Sequence, residues 1–506
     1  MHTPSGWLKT LKTCWVFPAA ICWKLGLIAT CALPPPANDA FFFDGAVVNW
    51  LRHGAYVNPS IVRVFPTSGA EVFFDMRPVY QGAVLAWMSV FGTSVQSSLW
   101  FHGGLFAAFA LLVLAVLRRL GTPAAAANLG GVFLFGLTFH DRADGVAHVT
   151  GMLALWTWLC ATAPGASWRR WLAAFFAVLT FATSLHIGAM YAAMLWTHAL
   201  LRRGRETVPW GPLFVIPLVP LALGAAVFAL WPQGWRGFTE LLLATPSFTG
   251  YRVPAFDEVL KVGRTAPGVL LIAALGVVLA LYRPRFEVRA ETLLAAEILG
   301  AVFVAALYAT AATLFVVAPN YVNVVAYPQV LVVALFVWIC APAALPFRLG
   351  CWLRPALLAC AALVSIRAAG LSTWGVACAL DVSQAEAEAR VERALVKLPA
   401  DAEVIVSSAY LYALADERRV ACRHADWVGP VGEGAGSIRP ECLVLSSYDY
   451  YRRYQRLLAD LAARGRVKIM NVEHKVRVPP PDAFPRLQRV LQHVSWAPVI
   501  IRLEWL

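Results

Sequence analysis

Asp39 and Asp44 stand just beyond the first apolar stretch of the chain, and Arg77 precedes a later one. A carboxylate near a membrane surface can take the proton of an attacking hydroxyl or amine. An arginine can hold an anionic leaving group through charge-assisted hydrogen bonds. Each has a plainer reading. Asp39 fits an N-cap for a helix starting at Ala40. Asp44 is five residues on and so is not stacked over Asp39; it fits a substrate holder, a partner for Arg52 or a solvated helix face. Arg77 fits an interfacial side chain. A second group is His140, Asp141, Arg142, Asp144 and His148. On a helix beginning near His140, the residues His140, Asp144 and His148 share one face. A single stripe offers a metal three ligands at most, so a hydrogen-bonding cluster facing the first group is preferred and no metal or other cofactor is expected. His186 lies between two short apolar runs and suits packing at least as well as ligation. Arg252, Lys261 and Arg264 near Phe256-Asp257-Glu258 fit either an anion-binding loop or ordinary surface charge.

The elements that must position these residues are apolar. A membrane-crossing helix needs roughly 20 apolar residues. About eleven segments qualify by hydropathy, near 14–34, 97–118, 122–139, 145–163, 168–184, 186–201, 210–231, 267–282, 292–317, 326–343 and 354–374. The pair flanking His186 reads equally as two half-spans. The first segment follows Lys9 and Lys12 and contains Lys24, which suits an uncleaved helix better than a signal peptide. With those lysines in the cytoplasm, Arg118/Arg119, Arg169/Arg170, Arg202/Arg203/Arg205, Arg283/Arg285/Arg289 and Arg348/Arg354 all fall on the same side, as the positive-inside rule requires. The opposite side receives 35–96, 232–266 and everything after about 378. Within 35–96, Ala40 to His53 reads as an amphipathic surface helix, and Val79 to Phe91 as another.

Composition agrees with this division. The chain is 59% hydrophobic and 14% charged, against about 25% charged in an ordinary soluble domain. The formal charge of +13 punctuates apolar spans rather than building a DNA-binding face, so no nucleic acid is expected. Most of the ten cysteines lie in or beside apolar runs. Cys422 and Cys442 do not, and in an oxidising compartment either a disulfide or two thiols suits them.

Several motifs carry a family resemblance. Asp39-Ala40-Phe41-Phe42-Phe43-Asp44-Gly45-Ala46, then Leu51-x-x-Gly54-x-Tyr56, Arg77-Pro78-x-Tyr80, Phe91-Gly92 and Leu117-Arg118-Arg119-Leu120-Gly121 resemble the start of GT-C fold glycosyltransferases. The nearest groups are the protein O-mannosyltransferases and the lipid A aminoarabinose and lipopolysaccharide sugar transferases. Arg142-Ala143-Asp144-Gly145-Val146-Ala147 is similar to that family's Arg-Pro-Asp-Ala-Leu-Ala, and Asn320-Tyr321 with Tyr327-Pro328 is a weaker match. The similarity covers roughly residues 15–200. Ala40 stands where many members have Glu, one proline of a double proline remains at Pro78, His186 lies where members often have Thr-Lys, and Asn320 replaces an Arg. The resemblance implies a sugar on a polyprenyl phosphate as donor and a lipid, glycan or protein acceptor, with membrane lipid around the helices. It implies Asp39 as base and Asp44, Arg77, Tyr80, Arg142, Asp144, His148, His186, Asn320 and Tyr321 as substrate-binding residues.

Residues 380–506 alternate between elements: a helix at Gln384–Leu398, strands at Glu403–Ser407, Val420–Arg423 and Cys442–Ser446, a helix at Tyr450–Arg464, a strand at Val467–Val472, and Val499–Leu503 closing the sheet. That order predicts a small α/β domain that roofs the membrane part or recognises the acceptor. The expectation is a polytopic α-helical membrane protein, GT-C-like with about eleven transmembrane helices over 1–379, and a soluble periplasmic α/β domain over 380–506. Its expected activity is inverting sugar transfer at the outer face of a bacterial inner membrane. A lipid or solute transporter and an inactive scaffold of the same fold are the alternatives.

Overall fold

The computed structural model describes residues 10–29, 40–54, 77–136, 144–161, 167–202, 207–230, 335, 384–399, 402–407, 410, 421–424, 431, 439–446, 450, 454–473 and 498–506. Helices dominate the first part: α1 (Val16–Ala29), α2 (Ala40–His53), α3 (Pro78–Phe91), α4 (Val95–Leu120), α5 (Ala124–Gly131) with a 3-10 turn at Val132–Gly136, α6 (Asp144–Cys160), α7 (Ser167–Thr183), α8 (Leu185–Leu201) and α9 (Trp210–Leu230).

The eleven-span expectation is corrected. Among the described residues only α4, with 26 residues, is long and apolar enough to cross a membrane. That is compatible with membrane association. Hydropathy counts apolar residues but not the breaks between helices. The run at 122–139 divides into α5 and the 3-10 turn. The runs at 145–163, 168–184 and 186–201 are helices of 17 residues, about 26 Å at 1.5 Å per residue against a hydrocarbon core of about 30 Å. The helix α1 has 14 residues, and α9 carries Pro217 and Pro220 inside it. The segments 267–282, 292–317, 326–343 and 354–374 lie outside the described residues.

Local chemistry sets the ends of α4. Ser94 accepts a hydrogen bond from the Ser97 amide at 3.1 Å and caps the start. Gly121 turns left-handed at φ 81°, a conformation that favours glycine, and its amide closes on Arg118 and Leu117. Between them Phe106, Phe109, Val113, Leu114 and Leu117 are buried in a core shared with α1, α6, α7 and α8.

Hydrogen bonds between helix ends set which ends meet. Arg119 Nε donates to Leu159 O at 3.5 Å, which brings the ends of α4 and α6 together. Arg169 Nη1 donates to Cys160 O at 2.9 Å and ties in the start of α7. Trp158 Nε1 donates to His198 Nδ1 at 3.2 Å and ties in the end of α8. Helix α1 runs the opposite way to α4: Asn128 Nδ2 of α5 donates to Thr13 O, and Gln96 Nε2 at the start of α4 donates to Ile28 O, both at 2.9 Å. One end of the bundle therefore gathers arginines, and the other gathers the starts of α3, α4, α6 and α8.

Helix α2 begins at Ala40 as its pattern predicts. Asp44, Ala46, Val47 and Val48 are buried within protein, so this face packs inward rather than lying on a lipid surface.

The C-terminal part contains α10 (Gln384–Leu395), β1 (Glu403–Val406), β2 (Ala421–His424), β3 (Cys442–Leu445), α11 (Gln455–Ala463), β4 (Val467–Glu473) and β5 (Val499–Trp505). The sheet order is β2-β1-β3-β5-β4. Strands β1, β2 and β3 are parallel, while β5 is antiparallel to β3 and to β4. Strand β5 does not close the sheet: its Val499-Ile500-Ile501 run is buried between β3 and β4, and the largely exposed β4 takes the edge, with Lys468, Asn471 and Glu473 among its residues. Val404 pairs with Cys422 on one side and Cys442 on the other. The two cysteines are thus two strand spacings apart, about 9.6 Å between Cα atoms, beyond the roughly 7 Å a disulfide spans. Cys442 is a free thiol.

A hydrophobic cluster runs continuously from Val47, Val48, Tyr80 and Val84 of α2 and α3, through Leu99 of α4, to Ala387 and Val391 of α10 and Val404, Val444 and Ile500 of the sheet. The α/β part therefore sits against the arginine-poor end of the helices.

Candidate functional site

Two polar clusters occupy that end. The first is built on Asp44, whose side chain is completely buried. Tyr80 donates its hydroxyl hydrogen to Asp44 Oδ1 at 2.5 Å, and Ser98 Oγ donates to Oδ2 at 2.7 Å. The Tyr80 hydroxyl also lies 3.4 Å from His102 Nε2. Ser98 and His102 are one turn apart on α4 and so face the same way. Tyr80 reaches them because Pro78 starts α3 at its first turn, where a missing N–H matters least. Three helices, α2, α3 and α4, are thereby joined through one carboxylate. A buried carboxylate needs such donors, since an unpaired one is expensive. Arg52, offered by the sequence as a partner for Asp44, donates from Nε and Nη2 to Thr93 Oγ1 and O at 2.8 and 2.7 Å.

The second cluster is built on Asp144 in the first turn of α6, where a carboxylate meets the positive end of the helix dipole. Arg77 Nη1 is 3.8 Å and His186 Nε2 is 3.9 Å from the same oxygen, Asp144 Oδ1. Both distances are longer than direct hydrogen bonds, and the first is an ion-pair contact. Arg77 sits at the N-cap of α3. His186 is the second residue of α8, two after Ser184, whose extended backbone breaks α7 from α8 and whose Oγ lies 3.3 Å from the imidazole nitrogens. His148, one turn after Asp144, is buried with Nδ1 3.5 Å from the Tyr191 hydroxyl. The side chains of Arg77 and His186 are 20% and 18% exposed, against 4% for Asp144. The carboxylate is thus recessed behind two partly exposed side chains.

The structure brings together Arg77, Asp144, His148 and His186 from three helices far apart in sequence. Asp44 and Tyr80 join the neighbouring cluster. Asp39, Arg142, Asn320 and Tyr321 lie outside the described residues, as do His140, Arg252, Lys261 and Arg264. Among the described residues no three His, Cys, Asp or Glu side chains are grouped to hold a metal. Sequence reasoning missed Ser98, His102, Ser184 and Tyr191. For Ser98 and His102 a signal existed: polar residues one turn apart inside an apolar run are expensive there unless they meet partners. Tyr191 gave none, because its role follows from the close approach of α6 and α8 at Gly151.

No family model matches the chain, and no curated protein matches it.

Proposed function

We propose that this chain is an inverting glycosyltransferase that moves a sugar from a polyprenyl-phosphate carrier to an acceptor hydroxyl or amine. The observation carrying the reading is the convergence of Arg77, Asp144 and His186 at one end of the bundle. Arg77 holds the leaving phosphate, since a guanidinium matches phosphate geometry. Asp144 orients Arg77 and His186 from behind. The acceptor oxygen or nitrogen bonds to the anomeric carbon as the carbon–oxygen bond to phosphate breaks, and that electron pair leaves on the phosphate. Asp39 takes the acceptor proton; helix α2 starts at the next residue. Asp44 has a positioning role through Tyr80, three residues after Arg77 on α3.

Helix α4 is compatible with a membrane setting. Its Arg118–Arg119 end suits the cytoplasmic side of a bacterial plasma membrane, where the N-terminal end of α1 also points.

The test is transfer from a radiolabelled polyprenyl-phosphate sugar by full-length protein in membranes. Asp39→Asn is expected to lower transfer at least about 100-fold, and Arg77→Gln about 100- to 1,000-fold, with unchanged expression and thermal unfolding. Full activity of Arg77→Gln sinks the phosphate assignment. Wild-type protein inert toward every polyprenyl-phosphate sugar sinks the glycosyltransferase reading.

A further inference from the structure

Strand β4 is one edge of the sheet, and among the described residues no strand lies beyond it. Its neighbour decides how its backbone is turned. The Leu503 amide donates to Glu441 O at 2.9 Å, toward β3, and Ile501 points the same way by the alternation of an antiparallel ladder. The β4 residues opposite these two are Ile469 and Val472, which therefore turn N–H and C=O away from β5. We propose that β4 pairs antiparallel with β4 of a second copy of this chain, about a two-fold axis between Met470 and Asn471.

Three observations select a second copy as the occupant. The first is the bulge. Met470 is the extra residue between the Ile469–Leu503 and Asn471–Arg502 pairs. In a regular strand, residues three apart face opposite ways. The bulge instead puts Ile469 and Val472 on one face, with Leu503 and Ile501 on the side of α11. The two-fold sets Ile469 opposite Val472 of the other copy, and opposite residues of a ladder share a face. A bulge usually blunts an edge; this one makes the edge self-complementary. The second is exposure. Ile469 and Val472 are 37% and 44% exposed, and pairing covers both while their outward backbone groups exchange hydrogen bonds. The third is charge. The same axis sets Glu473 opposite Lys468 of the other copy, both on the face of Ile500 and Glu504. Lys468 already lies 3.5 Å from Glu504 in its own chain, and an ammonium has three donors, enough for both carboxylates. Arg466 and Lys475 flank the paired stretch in sequence and repel their counterparts, so the association is weak and concentration-dependent.

The test is sedimentation velocity of purified full-length protein in detergent over a concentration series. Wild type is expected to show a monomer–dimer equilibrium. Glu473→Lys, which sets Lys against Lys468, is expected to raise the dimer Kd at least about tenfold with Tm unchanged. A second measurement is disulfide trapping under mild oxidant. Positions 469 and 472 of one strand are about 10 Å apart, too far to bridge within a chain. The double variant Ile469→Cys/Val472→Cys is therefore expected to give a covalent dimer, and wild type and each single variant none. Protein monomeric at every concentration overturns the second copy as occupant. A dimer with the same Kd in Glu473→Lys, or one trapped as readily by a single cysteine variant, overturns β4 pairing in this register.

Discussion

Tyr80 shows how much a single hydroxyl can hold in this protein. It donates to a carboxylate on α2 while lying beside a histidine on α4. Removing the hydroxyl leaves Asp44 short of a donor in a fully buried place. Tyr80→Phe is therefore expected to destabilise by about 1–3 kcal/mol, seen as a lower midpoint in denaturant unfolding, while Ser98→Ala acts the same way through the other oxygen. A midpoint unchanged in both variants removes the carboxylate as the joint. Cys442 carries a second residue-level prediction. Burial pushes its thiol up to about 12 from an ordinary 9.0. The folded thiol stays neutral while the unfolded one ionises, so this group lowers stability as pH rises between about 9 and 12. At pH 8 Cys442 is expected to alkylate only at the rate of global unfolding, and reducing agent is expected to leave Tm unchanged. Fast labelling in the native protein contradicts its placement.

At the scale of elements, the α7–α8 corner decides where His186 points. Ser184 breaks the apolar run, and Gly188 lets the new helix lie against Phe181: a Cβ at 188 meets the Phe181 Cα at 2.7 Å. Backbone cannot yield as a side-chain tip can. Gly188→Ala is expected to destabilise by about 1–3 kcal/mol and to lower any activity that depends on His186. Hydrogen exchange at the start of α8 reads both effects, and normal protection there rules the steric account out. The break was visible in sequence only as a join between two short apolar runs around His186. That Gly188 is the residue permitting it depends on the distance to α7, which no local pattern contains.

At the scale of the molecule, helices and sheet share one apolar cluster. A chain ending at residue 379 uncovers the faces of α2, α3 and α4 that Ala387, Val391, Val404 and Ile500 cover. It is expected to be cleaved faster by protease within residues 40–91 than the full chain, and equal cleavage rates end the idea that the α/β part covers this end.

The periodicities of 3.6 and 2 residues place the helices at Ala40 and Pro78 and the strands of the α/β part within a few residues, because those patterns are local and each element must bury its own apolar face. The grouping of arginines at the edges of apolar runs is also legible from their order along the sequence. The number of crossings was not: apolar content does not reveal where a helix breaks, and only α4 keeps both length and apolarity among the described residues. Nor was the meeting of Arg77, Asp144 and His186, the separation of Cys422 from Cys442 by an intervening strand, or the place of β5 inside the sheet. Each of these is a contact between residues distant along the chain, set by how whole faces pack against one another, and packing is a property of the assembled elements rather than of any one of them.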